Sequence, residues 1–122
     1  MSLSLRWVVV DCADPGNLAR FWARALEREF AESGEGWASL PGEPHLFFVQ
    51  VAEGKTAKNR WHLDWDSFDL ESDVQRLIDL GASRLADRTE EALGLEWTTL
   101  ADPEGNEFCV VRTDDSQDPP TG

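Results

Sequence analysis

The sequence predicts an α+β fold in which one strand–helix–strand–strand unit is built twice. Three observations carry this. The chain has 122 residues, which suits a single domain with a real core. Its apolar spacing runs from period two to 3.6 and back again, in the same order in each half. The halves also align at an offset of about one half-chain. Trp7-Val8-Val9-Val10-Asp11 falls on His62-Leu63-Asp64-Trp65-Asp66, Leu18, Phe21, Trp22 and Ala25 fall on Val74, Leu77, Ile78 and Gly81, and Trp37-Ala38-Ser39-Leu40 falls on Trp97-Thr98-Thr99-Leu100. Identity is low, so the matching pattern carries the argument. A duplicated unit gives two similar half-sheets, each with its helix on one side. Curling the other faces around a shared cleft covers them, and clefts are where small molecules bind.

Residues 5–11 (LRWVVVD) are β-branched and apolar and read as the first strand. Asp14-Pro15 then supplies a capping carboxylate and a proline at the first helical position. Leu18, Phe21, Trp22, Ala25 and Leu26 make one apolar helix face. Gly34-Glu35-Gly36 breaks the pattern. Trp37–Leu40 is a short strand, residues 41–44 a turn, and residues 46–52 (LFFVQVA) another strand.

Lys55, Lys58 and Arg60 lie in a basic loop. Residues 61–66 (WHLDWD) alternate: Trp61, Leu63 and Trp65 point one way, His62, Asp64 and Asp66 the other. Asp69 caps a second helix with Glu71 and Asp73 near its positive end, an apolar stripe of Leu70, Val74, Leu77 and Ile78, and Gly81 as its C-terminal stop. Leu85, residues 95–100 and residues 107–112 supply further strands. Asp102-Pro103-Glu104-Gly105 is a tight turn between the last two. Residues 114–122 are acidic, carry two prolines and have no apolar anchor, so a disordered tail is expected.

Composition narrows the function. There are 24 acidic against 11 basic residues, a formal net charge of -13, which argues against nucleic-acid or anionic-membrane partners because phosphate binding needs a basic face. The longest apolar runs, such as residues 46–51, are far too short to span a bilayer. The start of the chain has no signal-peptide apolar region. Two cysteines, Cys12 and Cys109, cannot make a disulfide framework, and free thiols suit a reducing cytoplasm, so cytoplasmic localisation is expected.

Four segments carry a resemblance: residues 9–15 (VVDCADP) leading into Phe21-Trp22, residues 58–64 (KNRWHLD), residues 80–82 (LGA) and residues 100–110 (LADPEGNEFCV). Together they resemble the vicinal oxygen chelate superfamily of glyoxalase I, extradiol dioxygenases and bleomycin-resistance proteins, and within it a glyoxalase-like subgroup. The Asp-Pro-Glu-Gly-Asn turn is the most specific element. The resemblance spans residues 5–112. It implies two tandem βαβββ modules forming a curved, cup-shaped mixed sheet with helices on the outside: one domain over residues 4–113, with modules at about 4–53 and 60–113. It also implies dimerisation, so a homodimer is expected.

Enzymes of this superfamily hold a divalent metal on the cup floor, with ligands from the first and last strand of each module. Carried over, those positions land on Trp7, on Phe48 or Gln50, on His62 and on Cys109. Rings cannot ligate, and a histidine with one cysteine falls short of the three or four ligands of a stable zinc site. Glu107 shares the face of Cys109, and Asp64 that of His62. A cluster of His62, Asp64, Glu107 and Cys109 can bind a metal in principle, but same-face positions rarely converge on one point without help from loops. The expected state is therefore free of metal and cofactor, and glyoxalase I chemistry, which needs a metal to stabilise an enediolate, is not expected.

The candidate site residues follow. His62 is a general base or a ligand-orienting donor, with Asp64 as the carboxylate that orients it; the alternative is a structural histidine bonded to a neighbouring carboxylate. Trp7, Phe48, Gln50, Trp97, Glu107 and Cys109 are expected to line a ligand site, the rings stacking planar groups. Trp61 and Trp65 belong by parity with the helix-packing core. Cys109 is a nucleophile or, more simply, a buried inert thiol. The basic loop either draws an anionic ligand to the rim or is an ordinary solvated loop. Three functions remain open: a small-molecule binder, an enzyme of lyase, isomerase or dioxygenase type using His62, and an interaction module whose cup is filled by its own side chains.

Overall fold

A computed structural model describes residues 5–29, 32–52, 57 and 61–113. The chain forms two compact units that divide between residues 56 and 57. The first holds β1 (Val8–Cys12), α1 (Pro15–Ala25), β2 (Glu32–Gly34), β3 (Trp37–Leu40) and β4 (Leu46–Gln50). The second holds β5 (Leu63–Ser67), α2 (Leu70–Leu80), β6 (Ser83–Glu90), a single 3-10 turn at Glu91–Leu93, β7 (Leu95–Ala101) and β8 (Glu107–Arg112). The sheets run β1-β4-β3-β2 and β5-β8-β7-β6. In each, the first and last strands of the unit pair in parallel and the other pairs are antiparallel. Parallel neighbours need a long crossover, which the helix begins and the two intervening strands complete. The architecture is α+β, with two βαβββ units.

Alternation decides which side of each sheet its helix covers. In β1, Val8 and Val10 are half-buried while Val9 and Asp11 are exposed. In β5, Leu63 and Trp65 are half-buried while Asp64 and Asp66 are exposed. Asp14 caps α1 by accepting the Asn17 amide at 3.2 Å, and Pro15 opens the helix. Leu18, Phe21, Trp22 and Ala25 are buried, and α1 packs on β3 and β4, which contribute Ala38, Leu40, Leu46 and Phe48 to the same core. Asp69 caps α2 through the Ser72 amide, and Gly81 ends it at φ 126°, a conformation L side chains rarely adopt. Leu70, Val74 and Leu77 bury against the sheet beside Leu100, Phe108 and Val110. Each large side chain fully buried here is worth about 1.5–3 kcal/mol.

The turn between β7 and β8 sets the register of the last strand. Asp102 is buried, and its Oδ1 accepts the amides of Glu104 at 2.9 Å and Asn106 at 3.0 Å. The Asn106 side-chain amide donates to both carboxylate oxygens, and Gly105 takes φ 86°. One side chain thus holds two amides and the Asn106 side chain, the Gly105 amide donates to the Asp102 carbonyl at 2.8 Å, and the six residues of β8 start in a defined phase.

The structure corrects the sequence reading in four places. β1 starts at Val8, later than expected. β2, three residues of sequence Glu-Ser-Gly, carries no apolar signal and sits at the sheet edge. β6 is eight residues long, and a register shift between Arg84 and Ala86 leaves Leu85 51% exposed. Trp61 is 89% exposed and does not join the helix-packing core: it precedes β5, where the sheet no longer imposes alternation. The basic residues Lys55, Lys58 and Arg60 and the 114–122 tail lie outside the described residues. Among the described residues, no helix is long and apolar enough to cross a membrane.

Candidate functional site

The helix-free face of the second sheet forms a concavity of about 680 Å³. Period-two alternation brings His62, Asp64, Trp97, Thr99, Glu107 and Cys109 to its lining, together with Arg88. Strand pairing then chooses which of them meet. β5 runs parallel to β8 with Asp64 opposite Cys109, and β7 runs antiparallel to β8 with Thr99 opposite Cys109. Three strands therefore deliver a carboxylate, a thiol and a hydroxyl in one row. His62 enters beside them just before β5.

His62 Nε2 lies 3.0 Å from Asp64 Oδ1, and both side chains are about half exposed, at 49% and 60%. Cys109 is only 6% exposed, and its Sγ is 3.4 Å from the Thr99 hydroxyl. Burial pushes the Cys109 thiol above its ordinary range; the Thr99 hydrogen bond opposes this, and the negative charges of Asp64 and Glu107 add to it. At neutral pH the thiol is protonated, which removes the thiolate a cysteine nucleophile requires. Asp66 accepts a hydrogen bond from the Thr113 hydroxyl at 3.1 Å, a structural task at the strand end.

The ligating atoms of His62, Asp64 and Cys109 all lie within 4.8 Å of one another. A site without metal is expected from the sequence only if same-face donors stay apart. For these three that condition fails, because the parallel β5–β8 pairing sets Asp64 directly across from Cys109. Glu107 lines the same concavity but is not one of the converging three.

The first unit places its sequence-predicted residues differently. Trp7 stacks on Phe47 at 5.2 Å and on His45 at 4.8 Å, and Phe47 stacks on Trp37 at 5.9 Å, all on the side away from α1. Phe48 is 0% exposed and packs in the helix-side core, so it lines no open face. Gln50 has the parity of Phe48 and ends the strand, and its amide donates to the Ala13 carbonyl at 3.1 Å. The residue across from Val9 on β4 is Phe47. Two adjacent phenylalanines in an unbroken apolar run gave parity nothing to distinguish. Pairing with β1 was the missing signal.

The superfamily's four-position ligand set therefore does not fit this chain. Trp7 and Phe47 are rings, and Phe48 and Gln50 are committed to the core and to a loop carbonyl. What the described residues offer instead is a histidine, a carboxylate and a thiol, all from the second unit.

The chain resembles solved structures across nearly its whole length. One is a glyoxalase/bleomycin resistance protein/dioxygenase family enzyme from Burkholderia phytofirmans, with TM-score 0.78 and 17% identity over 90% of this chain and 98% of that one. Another is a mutant of the fosfomycin resistance protein FosX from Listeria monocytogenes, complexed with Mn(II) and a dihydroxypropylphosphonic acid, with TM-score 0.79 and 12% identity over 96% and 95%. A third is FosX from Mesorhizobium loti, with TM-score 0.73 and 13% identity over 95% and 97%. At such identities the likeness establishes the fold alone. No curated protein matches the sequence. The sequence model of the glyoxalase-like domain matches residues 7–111, and the chain belongs to that family.

Proposed function

We propose that this glyoxalase-like protein binds a small organic molecule on the open face of its second module. The observation that carries the reading is the 680 Å³ concavity, a size in the range of small-molecule sites. Its lining combines the Trp97 indole, which suits a planar or apolar part of a ligand, with polar groups that can orient the rest. Arg88 and His62 can donate to a ligand acceptor, while Asp64 and Glu107 accept.

The test is a thermal-shift screen of the full chain against a panel of small carboxylates, phosphonates and aromatic compounds. A saturable stabilisation of several degrees is expected, reduced in both Trp97→Ala and His62→Ala. A broad panel without response, or a response that both variants retain in full, overturns the reading.

One observation favours a second reading, an enzyme with His62 as base. Asp64 sits within hydrogen-bond distance of the His62 ring, the arrangement by which a carboxylate holds an imidazole in one tautomer. On this reading the bound compound is converted over time, and conversion is lost in His62→Ala at ligand concentrations that still saturate the site. Unchanged compound at saturation leaves binding as the whole function.

A further inference from the structure

We propose that His62, Asp64 and Cys109 form a three-donor site for a thiophilic divalent cation, Zn(II) or Co(II), whose remaining coordination positions open into the concavity. Geometry comes first. A tetrahedral zinc ion with nitrogen and oxygen at about 2.0–2.2 Å and sulfur at about 2.3 Å sets its donors about 3.3–3.8 Å apart. The three donors already lie within 4.8 Å of one another. His62 and Asp64 are half exposed and free to rotate by the last fraction, while Cys109, buried on the central strand β8, is the fixed point.

Donor chemistry selects the metal. Magnesium and manganese favour sets built from oxygen, whereas imidazole with thiolate favours zinc and cobalt. The donors also come from one module. None of the three belongs to the first unit, whose matching positions hold Trp7, Val9 and Phe47. The site is therefore a local arrangement, differing in donor set and metal preference from one shared between two modules. Three protein ligands leave a position for water or a ligand, as in catalytic rather than structural zinc sites. Binding transfers the Cys109 thiol proton to solvent, so the complex gains one positive charge net of that proton. The neighbouring Glu107 and Asp66 carboxylates lie on the same lining and favour that charge, while Arg88 opposes it.

The inference does not depend on the small-molecule reading, because the metal alone is the probe. The full chain, stripped with chelator, is titrated with Co(II). One cobalt per chain is expected, with a near-ultraviolet sulfur-to-cobalt charge-transfer band and the visible bands of a tetrahedral ion. Zn(II) displaces cobalt stoichiometrically, and Mn(II), followed by its paramagnetic resonance, binds at least about tenfold more weakly. Cys109→Ser loses the near-ultraviolet band. Asp64→Asn, at an exposed position, weakens binding by at least about tenfold with its thermal melt unchanged. It reads the site even if the buried serine variant folds poorly. No cobalt band at stoichiometric metal, a spectrum unaltered in Cys109→Ser, or manganese binding as tight as zinc overturns the proposal.

Discussion

The two units share one strand order, and one row of side chains on their open faces sets their chemistry apart. Across the open face of the first sheet the row reads Val9, Phe47, Ser39; across the second it reads Asp64, Cys109, Thr99. Trp7 in the first unit stands where His62 stands in the second. The helix-side faces are interchangeable in character: Leu40, Leu46 and Phe48 in one, Leu100, Phe108 and Val110 in the other. The core constrains both copies to pack a helix, and an apolar face of about the right volume suffices for that. The opposite face carries no such constraint, so one copy stacks rings and the other gathers donors.

The largest expected effect tests which face of β4 is the core. Phe48→Ala should destabilise the protein by about 3–5 kcal/mol in urea denaturation, since it empties a fully buried site. Phe47→Ala, one residue away on the stacked face, should cost about 1–2 kcal/mol, the loss of a half-buried ring and its two stacking partners. Equal costs would dissolve the distinction between the faces.

Next is the contrast between the two turns that set the last strands. Asp102→Ala should cost about 2–4 kcal/mol, because it removes a buried carboxylate and strands the amides of Glu104 and Asn106 in a half-buried turn. The first unit holds its β3–β4 turn from outside, Arg28 donating to the carbonyls of Glu43 and Pro44. Arg28→Ala should cost about 1–2 kcal/mol, the smaller loss of a half-buried clamp. The reverse order would show that the buried carboxylate is not what sets β8.

Cys109 gives a pH signature that Phe47, its counterpart, lacks. Its thiol is raised above the ordinary 9.0 by burial, so the folded chain holds that proton more tightly than the unfolded chain. The resulting stability is fully present below the ordinary thiol range and is lost as pH rises through the window between the unfolded and folded values. Unfolding midpoints should fall with alkaline pH in the wild type and fall less in Cys109→Ser. Iodoacetamide at neutral pH should label native Cys109 slowly and the urea-unfolded chain rapidly. Fast native labelling would mean the thiol is neither buried nor protonated.

The smallest effect concerns Thr98, which replaces Ala38 of the first unit. Its hydroxyl donates to Asp87 at 2.9 Å and, with Arg84, holds that carboxyl below the usual carboxylate range. A lowered folded value stabilises above the unfolded one and is lost as pH falls through the folded one. Thr98→Val should move the Asp87 titration, followed by NMR, back toward the ordinary value. No movement would assign the shift to Arg84.

Much of this was legible in the residues themselves. Asp14-Pro15 and Asp69 announced the two helix starts, and the alternation of residues 62–66 put His62, Asp64 and Asp66 on one side of a strand. The Asp-Pro-Glu-Gly-Asn turn fixed where the last strand begins. All of these are short-range signals: a cap reads the next three residues, and a strand's parity reads only itself. Tertiary structure alone decided the rest. It chose Phe47 over Phe48 for the open face, since an unbroken apolar run has no parity to read, and it left Trp61 outside the sheet. Above all, it laid β5 parallel to β8, so that a carboxylate and a thiol distant in sequence face each other. That neighbourhood is set by the burial of the helix-side faces, which pull the strands together without regard to what lies on their other side.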